Sequence, residues 1–303
     1  MSLVIFGYGY SSQQFVRTQG ARFAPVLATV RSPERAARLS SADCEVVAFG
    51  EAIDERIGPA IDDARYLLVS APPEEIGDPV LAKFEARIAR SKIERIVYLS
   101  TIGVYGDHGG AWIDESTPCD PSNARSRWRL AAEDAWLALG ARMGKPAHVL
   151  RLSGIYGPGR NALANLRAGT ARRIIKSGQV FNRIHVEDIA RAVAACFDSA
   201  IPGRVWNVTD DEPAAPQDVV TGAAQLLGLE PPPEIAFEDA NLSPMARSFY
   251  GECKRVSNRT MREELGVTLA YPTWREALRA LHASGEGREG APAPLRARPG
   301  GQE

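Results

Sequence analysis

Short apolar runs alternate with helical patterns through the first half of the chain. The runs are rich in Val, Ile and Leu and predict six β-strands, at residues 3–6, 26–30, 46–49, 66–70, 96–100 and 147–152. Helical patterns begin near residue 11, at residue 33 and near residue 123. Strands that are apolar on both faces and separated by helices are typical of a parallel sheet covered by helices on both sides. The pattern therefore predicts a doubly wound α/β sheet.

The pattern is less regular after residue 160. It predicts short strands at 183–186 and 204–208, and helices at 187–198 and 216–227. Asn258 and Thr273 are suitable N-caps for two further helices, which end near residue 266 and at residue 283. These elements predict a smaller α/β region in the second half of the chain.

The predicted elements divide the chain into three parts. We expect a first domain at 1–160, whose sheet is completed by later segments around 183–208, and a smaller region at 161–283. Residues 284–303 consist mainly of Gly, Pro, Arg and Glu, with very few apolar residues. A segment of this composition cannot bury enough apolar surface to offset the entropy of ordering, so we expect a disordered tail there.

The charge balance excludes a general polyanion-binding protein. The chain has 36 Lys and Arg against 37 Asp and Glu, which gives a net charge of −1 over 303 residues. Binding nucleic acid through its backbone requires a basic surface that releases counterions, and we expect no nucleic-acid partner. No apolar run approaches the roughly 20 residues that span a bilayer, and the N-terminus does not resemble a signal peptide, so we expect no membrane partner.

The four cysteines and four histidines are scattered along the chain. There is no CxxC pair, and no Cys/His cluster has the spacing of metal ligands, so we expect no metal site. Because the cysteines show no disulfide framework either, we expect a reducing, cytoplasmic location.

The segment GYGYSS at residues 7–12 joins the first predicted strand to the first helix. Glycines allow a tight turn and a close approach to a pyrophosphate, which the free N–H groups at the start of a helix bind. A third glycine, usual in such turns, would fall at Ser12 and is absent. The position of the segment favours a dinucleotide site over a plain turn, with Gly7, Gly9, Tyr10 and Ser11 as binding residues.

The end of the second strand is where NADP and NAD are distinguished. An acidic residue there would bind the ribose hydroxyls and repel a 2′-phosphate. This chain has Arg31 and Ser32 at that point. A guanidinium can pair with a phosphate through two hydrogen bonds, and a hydroxyl can donate a third. We therefore expect NADP rather than NAD; the alternative is that Arg31 is a solvated surface residue.

Ser70, Ala71 and Pro72 follow the fourth predicted strand. In a doubly wound sheet the carboxyl ends of the strands line the ligand crevice. Small residues and prolines there would let a cofactor lie close, so we expect these three residues to border it. A purely structural turn is nearly as well supported for the proline.

Three further segments carry a family resemblance. They are YLSTIGVYG at 98–106, RLSGIYGPGR at 151–160 and RIHVEDIA at 183–190. With the glycine turn, their order and spacing resemble the extended short-chain dehydrogenase/reductase superfamily, of the sugar-nucleotide epimerase/dehydratase kind, over residues 1–283. The resemblance implies a Rossmann-like domain that binds a dinucleotide and a smaller substrate region. It also adds Ser100 and Gly154 to the expected cofactor contacts.

The resemblance also implies a catalytic set, and here the chain departs from the family. The family uses a Ser or Thr with a Tyr and a Lys in a YxxxK motif. The first position falls on Thr101, but Arg125 and Arg129 occupy the Tyr and Lys positions, as in an atypical branch of the superfamily. A guanidinium does not deprotonate in proteins, so Arg125 cannot shuttle a proton. We expect Thr101 to orient the substrate oxygen, Arg129 to hold the cofactor ribose, and both arginines to stabilise negative charge.

Other groups could replace the missing proton donor. His108 follows the strand that carries Thr101, and a histidine titrates near neutral pH; the alternative is an exposed loop histidine. Tyr105 is expected to pack under the loop rather than react, and Tyr156 is expected to form a wall of the pocket. A second match to YxxxK, at Tyr250 and Lys254, lies outside the long helix and is expected either to border the substrate cleft or to be surface charge.

These observations lead to two functional hypotheses. The first is an NADP-dependent oxidoreductase or epimerase/dehydratase-like enzyme that acts on a small polar substrate such as a sugar nucleotide. The alternative is a catalytically silent NADP-binding protein that senses redox state. In either case we expect a monomer or a homodimer.

Overall fold

The computed structural model describes residues 2–288. The strands within this range are, in chain order, β1 (Leu3–Phe6), β2 (Val26–Val30), β3 (Glu45–Ala48), β4 (Tyr66–Val69), β5 (Arg95–Thr101), β6 (Trp112–Ile113), β7 (Ala147–Leu152), β8 (Gly154–Tyr156), β9 (Arg173–Ile175), β10 (Arg183–His185), β11 (Val205–Val208), β12 (Glu234–Ala236) and β13 (Arg255–Val256). The six strands that the apolar runs of the first half predict all form, within one residue of the predicted bounds at either end.

The helices alternate with these strands. They are α1 (Tyr10–Gln19), α2 (Pro33–Leu39), α3 (Ile57–Asp63), α4 (Pro79–Arg90), α5 (Ala124–Met143), α6 (Ala162–Arg167), α7 (Val186–Asp198), α8 (Pro216–Leu227), α9 (Pro244–Phe249), α10 (Arg259–Glu263) and α11 (Trp274–Ala283). Residues 102–105 add a short 3-10 helix directly after β5. Local chemistry sets several boundaries: Asn123 caps α5 by accepting from Ser126 N–H, and Gly144 ends it in the left-handed conformation.

Seven of the strands form one parallel sheet in the order β11-β7-β5-β4-β1-β2-β3. The prediction of a doubly wound parallel α/β sheet is confirmed. The strand order reverses between β1 and β4, which places a crevice at the carboxyl ends of these two strands. The glycine turn follows β1 and the Ser70–Pro72 segment follows β4, so both predicted cofactor segments lie at this crevice.

Two layers of helices bury the two faces of the sheet. On one face, α1, α2 and α7 pack against apolar side chains of β1, β2 and β11 in one core cluster. On the other face, α3, α4 and α5 enclose a second cluster. Because each strand contributes to both clusters, its apolar character is continuous rather than alternating.

The second half of the chain contributes to both parts of the molecule. The strand β11 and the helix α7 complete the central sheet and its covering layer. The strand β10 instead pairs with β8 in a separate two-stranded sheet, and β9–β12 and β6–β13 form two more. Helices α6, α8 and α11 enclose a small apolar core of their own beside these strand pairs.

The C-terminal elements differ from the prediction in two details. Asn258 precedes α10 but makes no side-chain cap; its amide donates to Thr209 O and to Asp211 instead, tying α10 to the end of β11. Residues 284–288 of the predicted tail form turns, and Glu286 accepts from Gly159 N–H at 3.1 Å. The rest of the predicted tail lies outside the described residues.

Within residues 2–288, no helix combines the length and the apolar character needed to cross a bilayer.

Candidate functional site

The turn between β1 and α1 is shaped by a close approach of two chain segments. Gly7 has a φ of +92°. A Cβ atom at this position would lie 2.7 Å from the backbone nitrogen of Ala71, so only glycine fits against the end of β4. Gly9 is the N-cap of α1, and it supplies no side chain that could bind the first N–H groups of the helix. The turn therefore leaves the N-terminus of α1 without a side-chain cap.

Two buried hydroxyls lie at this uncapped helix end. Ser11 is 4% exposed and Ser12 is fully buried, and neither Oγ has a hydrogen-bond partner within the described residues. A buried polar group without a partner costs about 1–3 kcal/mol, so such groups call for a ligand or another explanation. A pyrophosphate fits this position, because the helix N-terminus and both hydroxyls favour an anion with many acceptor oxygens.

Tyr10 connects the turn to the small region. Its hydroxyl donates to the carbonyl oxygen of Pro158 at 3.0 Å, and the Arg160 guanidinium lies 5.9 Å from the ring centre. Gly157 leaves room for this contact, since a Cβ there would lie 2.7 Å from the Tyr10 hydroxyl oxygen. The Tyr10 side chain therefore joins the predicted cofactor turn to the loop after β8.

The end of β2 presents one exposed cation. Arg31 is exposed and forms no ion pair within residues 2–288, whereas Ser32 caps α2 by accepting from Arg35 N–H at 3.4 Å. An acid also lies here, at a position that the sequence pattern did not single out. The pKa of Glu34 is lowered by its own backbone N–H and by the Ser32 hydroxyl. Arg31 is thus available to a phosphate, beside a carboxylate that would oppose it.

The segment after β4 closes the crevice from the other side. The N–H groups of Ser70 and Ala71 both donate to Phe6 O, at 2.7 and 2.9 Å, which fixes them against the end of β1. Both residues are buried and Pro72 is half-buried. These contacts give the segment a structural role and leave the Ser70 side chain facing a cleft.

That cleft lies at the carboxyl ends of β4, β5 and β7. It is lined by Ser70, Leu99, Ser100, Arg129, Leu152, Ser153 and Ile155. Its volume is about 10 Å³, which is room for roughly one water molecule. The predicted contacts Ser70, Ser100 and Arg129 are therefore brought together, while Gly154 lies beside them, exposed, with its N–H bonded to Asn182 O at 3.1 Å.

Arg129 lies flat against β5. Its Nη1 donates to the Tyr98 hydroxyl at 3.1 Å and to Leu99 O at 3.0 Å, and its guanidinium is 5.6 Å from the Tyr98 ring centre. Burial raises the pKa of Tyr98, so this phenol stays protonated. Arg129 therefore presents a fixed positive charge to the cleft.

Thr101 is held with its hydroxyl oriented. Its Oγ1 accepts from Gly103 N–H at 3.1 Å, which leaves its own proton to donate elsewhere. A Cβ on Gly103 would lie 3.4 Å from Thr101 Oγ1 and 3.1 Å from Ser126 Oγ, so this glycine lets two hydroxyls approach one point. The sequence motifs did not point to Ser126, although it lies three residues before Arg129 on one helix face.

Arg125 takes no part in this arrangement. Its side chain is exposed, and within residues 2–288 it has no hydrogen bond or ion pair. It is therefore a long cationic side chain at the start of α5 that is free to meet a ligand.

Below the cleft lies a buried polar network that no sequence motif indicated. The Ser100 hydroxyl donates to the Glu133 carboxylate, which pairs with Arg151 at 2.7 Å. Burial raises the pKa of Glu133, and the Arg151 guanidinium opposes that shift. Arg151 also lies 4.7 Å from the centre of the Tyr105 ring, and the Tyr105 hydroxyl donates to Asn207 at 2.8 Å. As expected, Tyr105 packs in this network and faces no open cleft.

His108 lies in the loop that docks the C-terminal segment. One ring nitrogen, Nε2, lies 3.0 Å from Tyr105 O, and its backbone N–H donates to Cys253 O at 3.1 Å. A carbonyl can only accept, so the geometry assigns the proton to Nε2 and leaves Nδ1 as an acceptor. Within the described chain, no hydrogen bond joins His108 to Thr101 or Arg129.

The second YxxxK match is structural in its contacts. Lys254 is buried, donates to Gly106 O and pairs with Glu252 at 2.6 Å. Tyr250 is buried in an apolar cluster with Phe181 and Phe237. These contacts hold the C-terminal segment against the loop after β5.

Known proteins resemble most of the chain. A family model described as the NAD dependent epimerase/dehydratase family matches residues 84–209. Protein YeeZ from Escherichia coli strain K12 is 28% identical over 286 residues, which cover 89% of this chain and 96% of YeeZ.

Two solved structures extend the likeness. A functionally unknown conserved protein from Silicibacter pomeroyi is 46% identical with a TM-score of 0.86, over 94% of this chain and 99% of its own. The UDP-glucuronic acid 4-epimerase of Bacillus cereus, solved with UDP-glucuronic acid and NAD, has a TM-score of 0.74 at 15% identity, over 92% of this chain and 97% of its own. At that identity the likeness concerns the fold.

Proposed function

We propose that the chain belongs to the extended short-chain dehydrogenase/reductase superfamily, binds a nicotinamide dinucleotide and acts as an oxidoreductase or epimerase/dehydratase-like enzyme, because the model of the NAD dependent epimerase/dehydratase family matches residues 84–209. One observation carries the cofactor assignment. The uncapped N-terminus of α1 holds two buried hydroxyls, Ser11 and Ser12, that have no partner within the described residues. A pyrophosphate at this point would satisfy them.

The cofactor would lie across the crevice at the ends of β1 and β4. Gly7, Gly9 and Ser11 would hold the pyrophosphate, and Ser70, Ser100 and Arg129 would border its nicotinamide ribose. The bound dinucleotide would supply hydride chemistry.

We propose NADP over NAD on the strength of Arg31. Its exposed guanidinium has no ion pair within residues 2–288, and it stands at the end of β2, where a 2′-phosphate would lie. Glu34, held beside Ser32, weakens the field of this cation. The preference for NADP should therefore be moderate.

The reacting groups differ from those of the wider family. The Thr101 hydroxyl accepts from Gly103 N–H and keeps its own proton to donate. It would donate to a substrate oxygen, with Ser126 beside it, while Arg129 stabilises negative charge that develops there. Neither arginine can exchange a proton, so we propose that His108 does so through Nδ1. The substrate would be small and polar, with sugar nucleotides as the leading class.

A second candidate is a catalytically silent protein that binds NADP and senses redox state. Arg129 favours it, because its guanidinium is held at Leu99 O and cannot exchange a proton. A redox sensor must bind NADPH and NADP⁺ with different affinities, since a ligand pair with equal affinities shifts no equilibrium.

The test is calorimetric titration of the protein with NADPH, NADP⁺, NADH and NAD⁺. We expect binding of all four, tighter for the phosphorylated pair. Ser11→Ala should weaken all four about tenfold, since each loses one hydrogen bond to a charged group. The matched control is Ser177→Ala, an exposed serine in a turn. If wild type binds none of the four dinucleotides, the proposal is wrong; equal effects of the two serine variants would remove Ser11 from the site.

A further inference from the structure

A second cavity lies in the small region, beside the cleft that holds Arg129. Its volume is about 330 Å³. Its walls come from β8, from α6 and the chain that follows it, and from α8 and α11. Ile155 lines both this cavity and the cleft, so the two spaces adjoin.

Two buried donors line this cavity without partners. Tyr156 is 8% exposed and Trp274 is 2% exposed. Neither the Tyr156 hydroxyl nor the Trp274 Nε1–H has a hydrogen-bond partner within the described residues. The Trp274 ring is fixed against α8, where a Cβ on Gly222 would lie 2.9 Å from it. Both residues line the cavity, and a ligand that reached either donor would supply the acceptor that it lacks.

The charge of the cavity is positive. Arg160, Arg172 and Arg183 line it, and among residues 2–288 no carboxylate does. Arg172 and Arg183 donate to backbone carbonyls, at 2.9 Å in each case, so neither is neutralised by those contacts. A guanidinium bonded in this way keeps further N–H groups for an anion.

Two carboxylates lie close enough to the cavity to offset part of its positive charge. Burial raises the pKa of Asp210 and lowers the pKa of its neighbour Arg183, so burial disfavours the charged form of both groups. Glu286 is engaged with Gly159 N–H, one residue from Arg160. Arg160 and Arg172 form no ion pair within residues 2–288, so these two arginines keep positive charge at the cavity.

The rest of the wall is mixed: Asn161, Asn165 and Thr170 add neutral polar groups, and the remaining side chains are apolar. Ile155, Val219, Val220 and Leu278 supply aliphatic surface beside the Trp274 indole. We propose that this cavity binds a compact amphipathic anion, with one carboxylate or phosphate monoester on an apolar body. The anionic group meets the arginines and the two unpaired donors, and the apolar body meets the aliphatic wall. That the occupant is the distal part of the substrate rests on the proposed function; binding itself does not.

Calorimetric titration with three probes of similar size tests the proposal. The probes are phenyl phosphate, 3-phenylpropionate and the neutral 3-phenylpropan-1-ol. We expect at least one anion to bind, about tenfold or more tightly than the alcohol, because the alcohol lacks the charge-assisted hydrogen bonds. The better of the two anions identifies the group that the cavity takes. If neither anion binds more tightly than the alcohol, the proposal is overturned.

Variants locate the site. Tyr156→Phe removes a hydroxyl that has no partner within the described residues, so it should leave thermal stability unchanged or raise it. It should weaken binding of the anion about tenfold. Arg172→Met should weaken binding of the anion by a similar factor. Arg279→Met, on the exposed side of α11, is the control and should have no effect. Binding that is untouched by Tyr156→Phe and Arg172→Met would place the anion elsewhere and overturn the assignment.

Saturating NADPH separates this inference from the proposed function. An anion in the second cavity should still bind to the NADPH-loaded protein with its affinity retained. If NADPH displaces the anion, the probe occupies the dinucleotide site and the inference fails while the proposed function stands. Anion binding in a protein that binds no dinucleotide would support the inference and contradict the proposed function.

Discussion

Arg151 and Glu133 form an ion pair at 2.7 Å with only 7% and 1% of their side chains exposed. The pair lies directly below the candidate cleft. Glu133 also accepts from Ser100 at the end of β5, and Arg151 lies over the ring of Tyr105 in the loop that follows. The strand end that carries Ser100 and Thr101 is therefore anchored to α5 and β7 through charged groups that water does not screen.

This anchor should be costly to break from one side. Glu133→Ala leaves a buried guanidinium without a counter-charge, and we expect a loss of about 3–5 kcal/mol in the free energy of unfolding. Urea unfolding measures it. The control is Glu85→Ala, which removes the exposed partner of Arg142 and should cost less than about 1 kcal/mol. A cost for Glu133→Ala no greater than that of the control would show that the buried pair does not anchor the site.

The choice between NADP and NAD is expected to depend on Arg31. Arg31→Ala removes the cation from the end of β2 and should weaken NADP⁺ binding about 10- to 100-fold, with little change for NAD⁺. Calorimetry on both cofactors gives the two ratios, with Arg38→Ala as an exposed control on α2. Equal losses for NADP⁺ and NAD⁺ would refute a 2′-phosphate contact.

Glu34 provides the reciprocal test. Glu34→Gln removes the carboxylate beside Ser32 while keeping a similar side-chain volume. It should therefore strengthen the binding of NADP⁺ more than the binding of NAD⁺. The effect should shrink as salt concentration rises, because the carboxylate is exposed. An unchanged ratio of the two affinities at low salt would mean that the phosphate lies outside the reach of Glu34.

Thr101 is expected to matter for turnover and little for cofactor binding. Thr101→Ala removes the donated proton, and loss of one such donor typically lowers kcat about 10²- to 10³-fold. Thr101→Ser should restore most of the rate, and NADPH affinity should stay within twofold or so, as for the exposed control Thr268→Ala. A substrate screen on NADPH oxidation is the assay; full activity in Thr101→Ala would remove this residue from the reaction.

His108 can be separated from a structural role by pH. If its Nδ1 exchanges the proton, His108→Ala should lower kcat and remove one limb of the pH–rate profile. Loss of the bond to Tyr105 O would by itself alter stability and leave the shape of that profile unchanged. An unchanged profile in His108→Ala therefore contradicts a proton-transfer role.

The fold could be predicted because its signal is local and repeated. Each strand of the central sheet is apolar on both faces, so runs such as Leu3–Phe6 are visible without any knowledge of their partners. Caps such as Thr273 are equally local, and the capping box with Glu276 marks the start of α11. The pairing of β10 with β8 could not be foreseen, because three-residue strands carry no periodicity.

The candidate site was only partly visible for the same reason. The glycine turn and Arg129 belong to sequence motifs. Ser126 and Glu133 belong to no motif, and they reach the site only because one face of α5 packs against the strand ends. Glu34 acts through a contact with Ser32 that depends on the helix start. The unpaired donors Tyr156 and Trp274 are more than 100 residues apart, and only the packing of α11 brings them to one cavity.

Asp210 is expected to make stability depend on pH. Burial raises its pKa to about 8 in the folded protein, far above its ordinary value of 3.8, so folding favours the protonated form. The unfolded chain releases this proton at lower pH than the folded chain does. The free energy of unfolding should therefore fall as pH rises from about 4 to about 8, as far as Asp210 determines it.

Asp210→Asn isolates this contribution, since its Oδ1 can keep accepting from Glu212 N–H without any charge. The variant should be more stable than wild type at pH 8.5 by more than about 1 kcal/mol, because one pKa unit corresponds to about 1.4 kcal/mol. The difference should shrink toward pH 5. The control is Asp198→Asn, an exposed residue paired with Arg22, which should show no such gain at high pH. Urea unfolding at the two pH values measures the effect, and an Asp210→Asn variant that loses stability at pH 8.5 would show that the ionised carboxylate is favoured there by its Arg183 neighbour.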